Sequence, residues 1–370
     1  MAIGIGIVGA GVAGAEHAAA YRTGSRARIV AVADPDLSQA ERLRRRFGAG
    51  LVVADYEELL RHPDVSAVSI CTPPNTHTQI ALDAIAADKH VLCEKPLAIT
   101  SAEAHAIALA ASLRPSLRVS CVFQHRDDPA VTRARWLIDG GRLGVVGSAH
   151  FAAYVRRSKD YYSGDRGTIR REGGGALAVQ GIHLLDLMVW LLGDVATCSA
   201  AATNALHEIE VEDTFAGWLR LARGCLATID CSTAASRDSY RIDVVGSRAS
   251  LTLAYRPGWA RTWTLALASR SHPAALRVHD LATRRLPGYP RGLRSVHIAR
   301  LAWSRASGHG YAPSHLGHGP HIRRFLDAIQ YGQQAPIPPN EACKSVELAE
   351  SLYRSASRAP AERRTAVPAA

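Results

Sequence analysis

The chain has 370 residues, 47% hydrophobic and 21% charged, with a formal net charge of +11; that length suits two domains, each large enough to bury a core. The N-terminus MAIGIGIVGAG lacks a basic leader and a small-residue cleavage pattern, and no run of about 18 uninterrupted apolar residues occurs, which disfavours secretion and a membrane span and predicts a cytoplasmic protein. Seven cysteines without a C-x-x-C pair, and sixteen histidines not spaced to join them, predict free thiols and no metal site.

The first predicted element is an apolar strand at 3–8. It runs into Gly9-Ala10-Gly11-Val12-Ala13-Gly14, a helical stretch to Ala20, a second strand at 29–33 and then Asp34. Strand, glycine turn, helix, strand and an acid twenty residues after the last glycine form a βαβ dinucleotide unit. Gly9 permits the tight turn, Gly11 lets backbone approach a pyrophosphate, and Gly14 lets the helix sit close to the strand. The N–H groups of Val12, Ala13 and Gly14 at the helix start then face the phosphates. A carboxylate at Asp34 accepts from the adenosine ribose and repels a 2′-phosphate, so NAD is favoured over NADP; Arg42 and Arg44–Arg46 are the features that speak for NADP.

Helices at 38–47, 56–60, 76–87 and 102–112 alternate with strands at 67–71, 90–93 and 118–123, which predicts an α/β fold with a doubly wound parallel sheet over residues 1–124. A helix at 130–139 opens a second, α+β domain at 125–357. Its strand-like segments at 145–154, 196–202, 214–221, 225–232, 240–246 and 250–254 predict a large, mainly antiparallel, open-faced sheet with the helix 181–192 packed on it. Helices at 320–330 and 341–357 close the chain, and residues 358–370, rich in Pro, Ala and Arg, read as a disordered tail. Charge is uneven: residues 1–120 balance twelve basic against twelve acidic groups, whereas residues 256–305 hold ten arginines against Asp280 alone. No nucleic-acid-binding motif lies there, so no nucleic-acid partner is expected; a solvated arginine face, a phosphate-bearing substrate and an acidic partner stay open.

At Cys93-Glu94-Lys95-Pro96 the chain resembles the glucose–fructose oxidoreductase/inositol dehydrogenase (Gfo/Idh/MocA) family of NAD(P)-dependent oxidoreductases. The resemblance covers nearly the whole chain: Gly9-Ala10-Gly11, Thr72-Pro73-Pro74-Asn75-Thr76-His77, Glu94-Lys95-Pro96, Gly173-Gly174-Gly175-Ala176-Leu177, Gly181-Ile182-His183-Leu184-Leu185-Asp186 and the helix 321–330. It implies that Thr72, Pro73, Asn75, His77, Glu94, Lys95 and Pro96 join the glycine turn and Asp34 around the cofactor, with a cis bond before Pro96. It further implies that Lys95 and His183 are catalytic and meet the reacting hydroxyl. A lysine in a partly dry pocket beside the nicotinamide has its ammonium disfavoured, and a histidine can take the alcohol proton as hydride leaves. Many members carry Asp or Asn where this chain has Val179, so proton removal is expected to rest on Lys95 and His183, with Asp186 orienting the ring or contacting a nearby loop.

Arg157-Ser158-Lys159-Asp160-Tyr161-Tyr162 and Gln180 resemble a branch that oxidises position 3 of sugars or sugar nucleotides before transamination, in amino-sugar or antibiotic biosynthesis. Arg157, Tyr161, Tyr162 and Gln180 are expected substrate contacts; Gln124, His125 and Arg126, at the end of the last Rossmann strand, are expected to face the cleft, either as substrate contacts or as interdomain packing. An NADPH-dependent keto-sugar reductase and a non-catalytic sugar or nucleotide sensor are the competing readings. The resemblance also implies a homo-oligomer, its open sheet covered by another copy.

Overall fold

In the computed structural model, residues 2–23, 26–256, 262–269, 272–277 and 317–357 are described. The arginine side chains of the stretch 256–305 and the tail 358–370 lie outside the described residues.

Strands β1 (Ile3–Val8), β2 (Ala27–Ala33), β3 (Leu51–Val53), β4 (Ala67–Ile70), β5 (His90–Cys93) and β6 (Val119–Cys121) form a six-stranded sheet in the order β3-β2-β1-β4-β5-β6, parallel throughout. These strands read as unbroken apolar runs because helices bury both faces. The helices are α1 (Val12–Tyr21), α2 (Leu37–Phe47), α3 (Tyr56–Arg61), α4 (His77–Ala86) and α5 (Ser101–Ser112). Their ends follow local chemistry: Asp36 caps α2, Asp55 caps α3, and Thr100 with Glu103 makes a capping box on α5. Strand order reverses between β1 and β4, so the crevice for a ligand opens at their carboxyl ends, above Gly9 and Cys71.

Helix α6 (Pro129–Asp139) leads into an eight-stranded sheet ordered β14-β13-β12-β11-β7-β10-β9-β8. Its strands are β7 (Val146–Arg156), β8 (Val195–Thr203), β9 (Thr214–Leu221), β10 (Leu226–Ser232), β11 (Ala234–Gly246), β12 (Ala249–Arg256), β13 (Thr262–Ser269) and β14 (His272–Arg277). All neighbours are antiparallel except β7 and β10. Between β7 and β8 run the short helix α7 (Ile169–Glu172), a π-helical stretch Leu177–Gly181 and helix α8 (Ile182–Leu192). Ile169–Leu192 is apolar and long enough by composition to cross a membrane, but most of it is buried inside the protein, as a core helix is. One face of the sheet packs on α6 and α8; the other leaves Trp218, Leu226 and Val245 about half exposed around a shallow apolar hollow.

Two closing helices return to the first domain. Helix α9 (His318–Tyr331) packs on α1 and places Ile322, Phe325 and Leu326 in the same core as Ile5, Ile7 and Tyr21. Ile337 then joins β6, its carbonyl accepting from Cys121 N–H and its N–H donating to Ser120 Oγ, before α10 (Pro339–Ala356) covers α5, α8 and β8.

Four strands go beyond the sequence expectation, β14 in the arginine-rich stretch among them. β3 has only three residues, too few for a periodic signal. β13 alternates Trp263 and Leu265 inward, but the surrounding arginines mask it. β11 starts at Ala234 because its polar opening pairs irregularly with β7, with a register shift between Ala234 and Ser239.

Candidate active site

The glycine turn is fixed by close approach. Gly9 has φ +97, and a Cβ there would lie 2.6 Å from the Cys71 carbonyl; a Cβ on Gly14 would lie 2.1 Å from the Gly9 carbonyl. Gly11, by contrast, has nothing within 4 Å, so the backbone there is open to a ligand. No side chain caps α1, which leaves the N–H groups of Val12, Ala13 and Gly14 without intrahelical partners, and Val12 is 74% exposed in front of them. Asp34 closes the far side: its carboxylate accepts from Ala10 N–H at 2.8 Å and Asp36 N–H at 2.9 Å. An open glycine, uncapped donors and a fixed acid suit a dinucleotide. The arginines on α2 turn to their own helix: Glu41 holds Arg44 and Arg45, and Arg42 donates to Ser38.

The next two loops are locked together. Pro74–Thr76 forms a 3₁₀ turn with Thr72 and Pro73 partly open and Asn75 exposed. His77 is fully buried, its ring between the carbonyls of Pro96 (2.7 Å) and Thr72 (3.0 Å). The expectation of a direct cofactor contact is corrected here: with no surface to offer, His77 ties the Thr72 loop to the Lys95–Pro96 cis peptide.

Glu94 is similarly bound. Its Oε1 lies 3.1 Å from His17 Nε2 and 3.0 Å from His318 Nε2, while Oε2 accepts from the Lys95 N–H. His17 continues to Ser69 and Tyr21, and His318 Nδ1 sits 2.9 Å from Glu16. Burial opposes the Glu94 charge, yet the hydrogen bonds from His17 and His318 outweigh it and hold the carboxyl well below its ordinary value. Burial likewise opposes the His318 cation, and Glu16 and Glu94 overcome it, raising His318 to about 9. His17, Glu94 and His318 present ligand atoms within 4.8 Å of one another, a donor set a cation could use; all four ring nitrogens already have hydrogen-bond partners, which accounts for the cluster without one.

Lys95 projects from this anchored loop toward the second domain and donates to the Val179 carbonyl at 2.9 Å. Val179 lies in the π-helical stretch, whose wider turn displaces backbone carbonyls from the usual α ladder. A backbone oxygen therefore accepts from the amine at the position where the family resemblance led to the expectation of a carboxylate. The triple glycine positions it. A Cβ on Gly175 would lie 1.9 Å from the Glu212 carbonyl, and one on Gly174 would lie 2.4 Å from the Tyr353 hydroxyl. In that close packing the Glu212 carboxylate accepts from the N–H groups of Gly175 and Leu177 and from Tyr353.

His183 lies on the first turn of α8 and is buried. Burial, then the Lys95 charge, then His125 hold its ring well below the ordinary histidine value; burial also lowers Lys95. His183 packs against His125, ring centroids 4.7 Å apart, and His125 in turn meets Tyr240, Tyr255 and Trp263. Four buried side-chain atoms lack a hydrogen-bond partner among the described residues: Gln124 Oε1, Arg157 Nε, His183 Nδ1 and His207 Nε2. Three belong to residues expected at the substrate. A buried polar atom is costly when unpaired, and the hydroxyls of a polyhydroxylated ligand are groups able to pair with such atoms.

The other expected contacts divide. Gln180 is buried and accepts from the Tyr240 hydroxyl at 3.3 Å. Tyr161 carries the guanidiniums of Arg157 and Arg166 on its ring. The Tyr162 hydroxyl is spent on Thr233. Arg126 is a correction: its guanidinium forks onto Asp186 at 2.7 and 3.0 Å and reaches Glu341 at 2.6 Å, so it joins α8 to α10 rather than facing substrate. Asp186 thereby belongs to Arg126, and His183 Nδ1 has no protein partner to orient it. His17, Glu16 and His318 were missed because their pairing spans up to 302 positions, and Tyr240, Tyr255 and Trp263 because a strand aromatic is read first as core.

A family model described as "Oxidoreductase family, NAD-binding Rossmann fold" matches residues 3–119, and one described as "GFO/IDH/MocA C-terminal domain" matches residues 131–252. The inositol 2-dehydrogenase of Rhizobium meliloti is 30% identical over 363 residues, covering 96% of this chain and 97% of its own. Among solved structures, GenD2 from gentamicin A biosynthesis in complex with NAD is 26% identical, with TM-score 0.75 and coverage of 97% and 95%. The WlbA dehydrogenase of Bordetella pertussis, in complex with NADH and UDP-GlcNAcA, shares the fold at 21% identity, TM-score 0.77 and coverage of 96% and 97%.

Proposed function

The chain belongs to the Gfo/Idh/MocA family of oxidoreductases, with an NAD-binding Rossmann domain, and from that premise we propose that it oxidises a secondary hydroxyl of a sugar, sugar nucleotide, or amino-sugar or cyclitol intermediate to a ketone. The carbon is C3, and the step precedes transamination on the way to an amino sugar or antibiotic. The observations that support the reading are the Lys95 amine, held across the domain boundary by the Val179 carbonyl, the buried ring of His183, which the Lys95 charge helps keep neutral, and the buried atoms Gln124 Oε1, Arg157 Nε and His183 Nδ1, which have no hydrogen-bond partner among the described residues. Asp34 and the self-paired arginines of α2 support NAD over NADP.

Bound NAD supplies the hydride acceptor. Lys95, held by the Val179 carbonyl, donates a hydrogen bond to the carbinol oxygen and orients it. His183, neutral because burial and the neighbouring ammonium disfavour its cation, accepts the hydroxyl proton as the C–H bond breaks, and the carbon becomes a ketone. Trp218, Leu226 and Val245 on the bare sheet face support a homo-oligomer in which a second copy covers them.

The test is to supply NAD with a panel of sugars, cyclitols and sugar nucleotides, follow NADH absorbance and locate the product ketone by NMR. Lys95→Ala and His183→Ala should each lose about 10²–10⁴-fold in kcat, the usual range for a positioned acid or base. Parent-like turnover by either variant defeats the assignment.

A further inference from the structure

The cleft is more basic than oxidation of a neutral polyol requires. Burial lowers the Lys95 amine, the Glu94 charge opposes this, and the Arg157 charge adds to the lowering. Arg166 joins them through Tyr161: the guanidinium of Arg157 lies 4.5 Å from that ring's centre and the guanidinium of Arg166 4.8 Å. Cation–π contact of this kind is weak at an exposed site and does not by itself explain gathering two like charges on one tyrosine.

Neither guanidinium has a carboxylate within ion-pair distance among the described residues, and the neighbouring acids are engaged elsewhere. Asp165 pairs with Arg171, Glu172 accepts from Gly167 N–H, and Asp238 accepts from the Arg156 N–H. Arg157 Nε is buried with no acceptor. Bound NAD would add the positive charge of its nicotinamide to this basic set. A guanidinium is a planar fork suited to two oxygens of one anion, and a buried unpaired donor beside a catalytic amine marks a position that a ligand fills.

We infer that Arg157, with Arg166 beside it on Tyr161, binds an anionic substituent of the substrate, a carboxylate or a phosphate, so that the enzyme selects acidic sugars over neutral ones. This rests on the proposed oxidation at Lys95 and His183 and adds the substrate class. The anion neutralises the cluster, and its position on the sugar sets which hydroxyl reaches Lys95.

The experiment compares a neutral hexose and a cyclitol with a hexuronate, a hexose phosphate and a uridine diphosphate hexose. Each is scored by NADH formation and by the change in fluorescence of enzyme-bound NADH, which reports binding without turnover. At least one acidic probe should be preferred over the neutral hexose by about tenfold or more, the scale of one close charge pair. That preference should fall with added salt and collapse toward unity in Arg157→Gln. A preference confined to the hexuronate identifies a carboxylate site, and one confined to the phosphorylated probes a phosphate site. Arg166 is exposed, so Arg166→Gln, expected to weaken the preference several-fold, tests the idea even where Arg157→Gln misfolds. Equal use of neutral and acidic probes overturns the inference while leaving the dehydrogenase reading intact; preferential binding of acidic probes without NADH formation does the reverse. A preference that survives Arg157→Gln also overturns it.

Discussion

Replacing Arg126 with methionine separates a structural role from a substrate contact. In the parent the guanidinium and Asp186 are both inside the protein, with side chains 6% and 1% exposed, and the fork is bidentate; the third partner, Glu341, is 43% exposed. Removing one member of a buried, hydrogen-bonded pair leaves the other charge stranded, at a cost of about 3–5 kcal/mol, whereas the half-exposed Glu341 arm contributes about 0–1 kcal/mol. With a urea dependence of about 2–3 kcal/mol per M, Arg126→Met should lower the unfolding midpoint by about 1–2 M, and Glu341→Gln should move it little. The defect should deepen as pH rises. Burial raises Asp186 to about 6 even against the pull of Arg126, so without the arginine it titrates higher still. An acid raised above its unfolded value favours the fold below that value and loses the contribution as pH passes through its folded pKa. The gap between variant and parent should therefore be wider at pH 8.5 than at pH 6. Urea titrations at both pH values, with KM measured in parallel, decide the matter. A variant as stable as the parent but with a tenfold higher KM would refute the reasoning and return Arg126 to the substrate.

The pH profile of oxidation should be a bell. Activity falls on the acid side as His183 gains a proton, well below the ordinary histidine value, and on the alkaline side as Lys95 loses one, below the ordinary lysine value; Lys95→Arg should remove the alkaline limb, and its persistence would assign that limb elsewhere. His318→Ala deletes the donor shared by Glu16 and Glu94 and should cost about tenfold in kcat, with faster hydrogen exchange at the Lys95 amide but unchanged exchange in β9 and β10; His318→Gln, which keeps a donor, should recover most of it. Asp34→Ala should weaken NAD by about 10–100-fold and narrow its lead over NADP, measured by fluorescence titration; an unaltered NAD to NADP ratio would remove Asp34 from cofactor choice.

The Rossmann half was legible because its signals are local: Gly9, Gly11 and Gly14 sit in one turn, and Asp34 follows one helix and one strand later. Lys95 and His183 drew attention through the short motifs around them, although nothing in the sequence shows that Lys95 donates to the Val179 carbonyl or that the His183 ring is buried against His125. What resisted reading is set by distant packing. Arg126 looked available because it follows a strand at the cleft edge, yet Asp186 and Glu341, 60 and 215 positions away, claim it. Val179 looked like a lost catalytic acid because sequence displays side chains, and the replacement is its own main-chain oxygen. Trp263 was hidden by arginines that set the composition of the segment without setting the period of its strand.

The seating of α9 against α1 bears on how this protein is made. Phe325 and Ile322 complete a hydrophobic layer begun by Ile5 and Ile7, so the nucleotide half stays unfinished on the ribosome until more than 300 further residues have emerged. A prematurely terminated product would show an uncovered greasy flank beside Tyr21 and would lack the imidazole that braces Glu94.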